Sequence, residues 1–109
     1  MSASAEFVDY VREMLAPLGG IRDGKFFGGH AMKHGAHQFA MVMGNTLYFR
    51  VDDGSRLAYE KRGSKPFSYS TKNGVVQVRK YYAVPAELLD DPAQLVAWAR
   101  QAIMAAGAA

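Results

Sequence analysis

The chain's three histidines, His30, His34 and His37, fall within a single short stretch. Imidazoles this close in sequence can share a zinc or nickel ion. Their spacing follows no helical metal motif, and no carboxylate lies among them. The simpler reading is three surface histidines around a hairpin, with charge that responds to pH. His30, His34 and His37 therefore stand only as fallback metal candidates, and no cofactor is expected. Two carboxylate pairs, Asp52-Asp53 and Asp90-Asp91, have the residue types for general acid–base chemistry. Both directly precede predicted helices, where capping explains them more simply. There is no cysteine and no Gly-x-Ser-x-Gly elbow. Gly28-Gly29 lacks the Lys-Ser/Thr of a phosphate loop, and no helix follows it. The residues thus point away from an enzyme.

A different chemistry runs through the middle of the chain. Tyr48, Tyr69, Tyr81 and Tyr82 alternate with Arg50, Arg79 and Lys80 on predicted strands. Such a face can stack single-stranded bases, although the signature of a base-stacking RNA module is missing. Cross-strand aromatic packing is the ordinary explanation. Residues 50–80 hold eight basic and three acidic side chains, a local charge of +5 against +3 for the whole chain. That surplus suits an anionic partner as well as a solvated rim.

The elements that must carry these side chains are legible. Phe7, Val8, Val11, Met14, Leu15 and Leu18 share one face of a helix over residues 4–18, with Ser4 as its cap and Gly19-Gly20 as its end. Short strands are expected at Lys25–Phe27 and Ala31–His34, with Gly28-Gly29 and Gly35 at the bends. Gln38–Met43 is apolar on both faces, which predicts a central strand covered on both sides by the fold or by a dimer contact. Gly44-Asn45 marks a hairpin into Thr46–Val51, where Leu47, Phe49 and Val51 take one face and Tyr48 and Arg50 the other.

Asp52-Asp53 then starts a short helix near Ser55–Arg62, which Gly63 ends. Phe67–Thr71 and Val75–Val84 form a second hairpin around Asn73-Gly74. Asp91 and Pro92 open a last helix whose face is Leu95, Trp98, Ala99, Ala102, Ile103 and Ala106. Helices at both ends of successive hairpins imply an α+β fold with helices packed on an antiparallel sheet.

Length and composition bound the rest. At 109 residues the chain suits one domain. Half its residues are hydrophobic, which argues against disorder. Missing cysteines, an N-terminal segment interrupted by Glu6, Asp9, Arg12 and Glu13, and no long apolar run predict a cytoplasmic protein without a membrane span.

Taken in order, short blocks of residues carry a resemblance. They are Phe27-Gly28-Gly29, Phe39-Ala40, Leu47-Tyr48-Phe49-Arg50-Val51-Asp52-Asp53, Arg56, Gly63, Pro66-Phe67-Ser68-Tyr69, Tyr81-Tyr82, Val84-Pro85, Leu89-Asp90-Asp91-Pro92 and Trp98-Ala99. This series resembles the N-terminal domain of the TfoX (Sxy) competence regulators over nearly all of residues 7–105. The family's Arg-x-Met-Phe-Gly-Gly start appears here as Lys25-Phe26-Phe27-Gly28-Gly29, without the methionine.

The resemblance implies a two-layer fold similar to secretion chaperones, with an antiparallel sheet of about five strands flanked by N- and C-terminal helices. It implies a bacterial cytoplasmic regulator of transcription, acting through a protein partner such as the cyclic-AMP receptor protein, and it carries over no catalytic residue. Longer TfoX proteins add a C-terminal helical domain, so a single-domain form over residues 1–109 is expected. The expected contact surface is the sheet face or edge with Tyr48, Arg50, Arg56, Tyr69, Arg79 and Tyr81. An isologous homodimer is expected because a two-layer domain leaves a sheet face uncovered. Direct nucleic-acid binding by the same basic, aromatic face is the alternative.

Overall fold

A computed structural model describes residues 3–107. Its elements follow the order α1 (Ala5–Leu15), β1 (Ile21–Phe26), β2 (Gly29–His34), β3 (His37–Met43), β4 (Thr46–Arg50), α2 (Asp53–Lys61), β5 (Pro66–Thr71), β6 (Gly74–Ala83) and α3 (Pro92–Gly107). The strands make one antiparallel sheet in the order β1-β2-β3-β4-β6-β5. The architecture is α+β, with α1 and α3 together on one face of the sheet. The sheet has six strands where the resemblance implies about five. The residue pattern already marked six β-prone segments.

Local chemistry sets the boundaries. Ser4 caps α1 by accepting from the Phe7 amide at 3.1 Å. The helix tightens into a 3-10 turn at Ala16–Leu18, where Pro17 sits, and stops at Gly19 and Gly20, both with φ +67°. Asp52 and Ser55 cap α2 reciprocally, with the Ser55 amide 2.7 Å from Asp52 Oδ1 and the Asp52 amide 3.0 Å from Ser55 Oγ. Gly63 leaves that helix with φ +79°. Asp91 accepts from the Gln94 amide at 3.2 Å and opens α3.

Neighbouring hydrogen bonds hold the Asp52 carboxyl below the usual range, chiefly the bond from the Ser55 amide. Bonding to Arg12, the larger effect, and to His30 does the same for Asp23. A carboxyl whose pKa is depressed on folding contributes stability above its unfolded pKa of about 3.9 and loses it as protons bind in the folded state. The urea midpoint is therefore expected to fall as the pH drops below about 4. Asp52→Ala is expected to cost about 1 kcal/mol at neutral pH and to flatten that acid slope.

The main core lies between the sheet and the α1/α3 layer. Val11, Leu15, Met32, Phe39, Leu47, Phe49, Leu88 and Leu95 are fully or almost fully buried there. A bulge where β2 meets β3 turns both Phe39 and Ala40 toward the helices. Trp98 is only half-buried, so it seals a seam rather than the centre. Its ring meets Tyr59 edge-on at 4.7 Å, and the Arg62 guanidinium lies 4.9 Å from its centroid. Tyr59 in turn neighbours Tyr82, whose hydroxyl donates to Glu60 at 2.8 Å. This aromatic chain ties α2 to α3 and β6.

A candidate docking face on the open side of the sheet

The face away from α1 and α3 is built from alternate strand residues. Along β4, Leu47 and Phe49 point into the main core, so Tyr48 and Arg50 point the other way. Across the ladder, Met41 pairs with Tyr48, and Tyr81 pairs with Arg50. Met41, Met43 and Phe67 form a second, smaller core there, packed by Phe26, Tyr48, Val78 and Tyr81. The two-sided apolar pattern of β3 thus has its cover within the chain.

The cover comes from the β5–β6 hairpin. Only Tyr81–Ala83 of β6 pair with β4, so the outer half of the hairpin extends beyond it. A register jump between Pro66 and Phe67 accompanies that departure. The hairpin brings Phe67 onto the methionines, with the Tyr48 ring edge-on at 5.2 Å.

At the other end of the sheet stands the β1–β2 turn. Phe26 pairs with Gly29, which leaves Phe27-Gly28 as a two-residue loop. Both residues have positive φ, +46° and +81°, the pattern of a type I′ turn. Phenylalanine is a poor choice for the left-handed region, where a side chain costs about 1–2 kcal/mol. Phe27 nevertheless sits there 84% exposed, touching Phe26 edge-on at 4.7 Å.

Between this tip and the β5–β6 hairpin lies a groove of ≈ 430 Å³, lined by Phe27, Met43, Phe67 and Tyr69. Tyr69 is 47% exposed and its ring lies 6.1 Å from Phe67. A shallower depression of ≈ 400 Å³ continues along β1 past Arg22, Asp23, Gly24, Lys25, Phe26, Ala31, Lys33 and Gln38.

The charges on this face have one sign. Asp23 is the only carboxylate in any of the six strands. It points toward α1, where Arg12 binds both of its oxygens and His30 Nε2 lies 3.4 Å away. The open face carries Arg22, Lys33 and Arg50. The Arg50 guanidinium lies 5.9 Å from the Tyr81 ring centroid, and its Nε is buried without a hydrogen-bond partner. Tyr81 donates to the Gln38 carbonyl at 3.3 Å. Partial burial pushes the Tyr48 phenol up.

Four of the six expected contact residues, Tyr48, Arg50, Tyr69 and Tyr81, therefore share the open face. Arg56 lies apart from them, and Arg79 is exposed in the stretch of β6 where the β5–β6 register jumps. Arg56 is on α2 and pairs with Asp53 at 2.9 Å. Arg56 and Arg79 both act electrostatically on the Tyr82 phenol, which belongs to the helix side. Sequence reasoning missed Phe27, Met43 and Phe67 as groove residues. A bulky residue before Gly28 at a hairpin tip was the available signal for Phe27.

The three histidines do not converge. His34 and His37 oppose each other beside the β2–β3 turn, while His30 lies further down β2 next to Asp23. Among the described residues no three His, Cys, Asp or Glu side chains are placed to share an ion. None of the described helices is long and apolar enough to cross a membrane.

The model of the TfoX N-terminal domain matches residues 13–106, which include all six strands and both walls of the groove. The chain belongs to the TfoX N-terminal domain family. Membership places it broadly among TfoX-like regulatory proteins. No curated protein sequence matches it at a significant level. In this TfoX-like domain, Phe27-Gly28-Gly29 forms the strained tip and the close strand contact behind it. Pro66-Phe67-Ser68-Tyr69 forms the opposite wall, and Asp52-Asp53 does the capping. The blocks that carried the resemblance thus serve both the fold and the groove.

Proposed function

We propose that this TfoX-like protein is a non-catalytic regulator, acting in transcription regulation in the cytoplasm by docking a protein partner on the open sheet face. A transcription factor such as the cyclic-AMP receptor protein is the kind of partner intended. The observation that carries the reading is an exposed aromatic groove on a face with cations and no carboxylate. Exposed aromatic and arginine side chains are the residue types that dominate protein–protein contact energies.

Two other occupants compete for the face. A homodimer through it would bring together two faces that each carry Arg22, Lys33 and Arg50 and no carboxylate, so like charge opposes it. Single-stranded nucleic acid would find free rings only at Phe27 and Tyr69, since Tyr48 is engaged with Phe67, and Tyr81 with Arg50 and Gln38, and it would have three cations for its phosphates. The heterotypic protein contact meets neither obstacle.

A photo-crosslinking amino acid placed at Tyr69 tests this in cells, with Gln101 on α3 as the control position. Discrete covalent adducts with another protein are expected from position 69 and not from position 101. Identical adduct patterns from both positions, or adducts with nucleic acid alone, would remove the proposal.

A further inference from the structure

We propose that the occupant of the groove is an acidic, amphipathic peptide segment of a partner protein. In this arrangement a large apolar side chain sits between Phe27 and Tyr69, and carboxylates reach Arg50. The inference rests on the docking reading above and names its chemistry.

Three observations converge on this ligand. The groove walls are Phe27 and Tyr69 and its floor is Met43 and Phe67, which suits an aliphatic or aromatic anchor. Met43 pairs with Thr46, and Arg50 lies four residues further along β4, roughly 13 Å away, so an extended peptide of about five residues spans the groove and the cation. The Arg50 guanidinium rests by the Tyr81 ring, and the terminal nitrogens of such a fork bind a carboxylate in pairs. The domain's remaining carboxylates, Asp23 excepted, lie in helices or connections. The sheet face therefore attracts anions without competition from its own acids.

Phe27 adds an independent argument. A type I′ turn ahead of a glycine is satisfied best by asparagine, which tolerates positive φ. An exposed phenylalanine there gains little from burial and bears backbone strain. Strain held at an exposed position without packing return is the mark of a contact residue. Arg22, Lys33 and Arg50 form one short row across β1, β2 and β4, at the end of the face away from the groove. Duplex DNA would use that row and leave the apolar groove empty, whereas an amphipathic acidic peptide uses both.

Display selection of random peptides on the full chain is the test, followed by affinity measurement on the enriched sequences. The selected peptides are expected to be net acidic with at least one large apolar residue. Arg50→Glu and Phe27→Asn are each expected to weaken them by about tenfold or more. Phe27→Asn is also expected to raise the melting temperature by about 2–4 °C. A comparable fall in melting temperature assigns Phe27 a structural role and overturns the inference.

Neutral or basic peptides that still need Phe27 overturn the acidic ligand and leave the docking reading intact. The same holds if no peptide is enriched while the crosslinker at position 69 still captures a protein. Failure of both experiments removes both readings. Two further results also overturn it: a labelled duplex bound as tightly as the best peptide and lost in Arg50→Glu, or a homodimer in sedimentation that Phe27→Asn dissolves.

Discussion

Phe49→Ala is expected to lower the stability of the domain by about 3–5 kcal/mol, read as a fall in the urea midpoint at unchanged slope. Phe49 sits within β4, paired with Ala40 of β3 on one side and Tyr82 of β6 on the other. Its ring is fully buried and lies 6.3 Å from that of Phe39, inside the layer covered by α1 and α3. Removing it deletes the transfer free energy of the ring and leaves a cavity that two hydrogen-bonded neighbours cannot close. A domain of this size has about 5–15 kcal/mol in total, so the variant falls near the edge of folding. Tyr48→Ala, one residue earlier on the opposite face, tests the assignment of faces. Tyr48 is only half-buried, so its loss is expected to cost clearly less stability while disturbing Phe67 and the groove.

That contrast was legible before any coordinates, because alternation in a strand has a period of two and β4 obeys it without interruption. The caps at Ser4, Asp52 and Asp91 and the turns at Gly35 and Gly44 were legible for the same local reason, whereas the turn expected at Asn73-Gly74 falls one residue earlier, at Lys72-Asn73, with Gly74 opening β6. Errors arose wherever a long-range contact overrides the local pattern. β1 begins at Ile21, ahead of the Lys25–Phe27 expectation, because pairing with β2 holds Arg22, Asp23 and Gly24 extended despite their low β-propensity. Phe27 looks like the end of a strand but stands in the turn. The bulge opposite Met32 shifts Phe39 onto the face of Ala40, and no residue type announces it. Strict alternation from Tyr81 to Arg79 does not carry across the stretch of β6 where the β5–β6 register jumps. The groove is a product of that slip and of the β1–β2 tip, two features far apart in sequence, so only its separate walls were readable.

Gly29→Ala is expected to cost about 1–3 kcal/mol and to abolish docking at the groove, although the change adds a single methyl group. A Cβ at this position would lie 2.3 Å from the Val42 carbonyl oxygen and 2.4 Å from Met43 Sδ. The Met43 end of the clash can yield by a change of rotamer. The carbonyl cannot, because it belongs to β3, which is held by β2 on one side and β4 on the other. The β1–β2 hairpin must therefore lift from β3 at the point where it carries Phe27. Stability falls through strained backbone pairing, and the groove opens through displacement of both its Met43 floor and its Phe27 wall. Thermal unfolding and peptide affinity, measured on the same preparation, check the pair of effects. Loss of stability with unchanged affinity would separate the tip from the groove and refute the coupling. Gly28→Ala supplies the comparison. Gly28 also has positive φ, but it occupies the exposed side of the turn, so strain is its main expected penalty and the packing behind Met43 is kept. A larger loss of affinity in Gly29→Ala than in Gly28→Ala is the result that ties this hairpin's close approach to recognition.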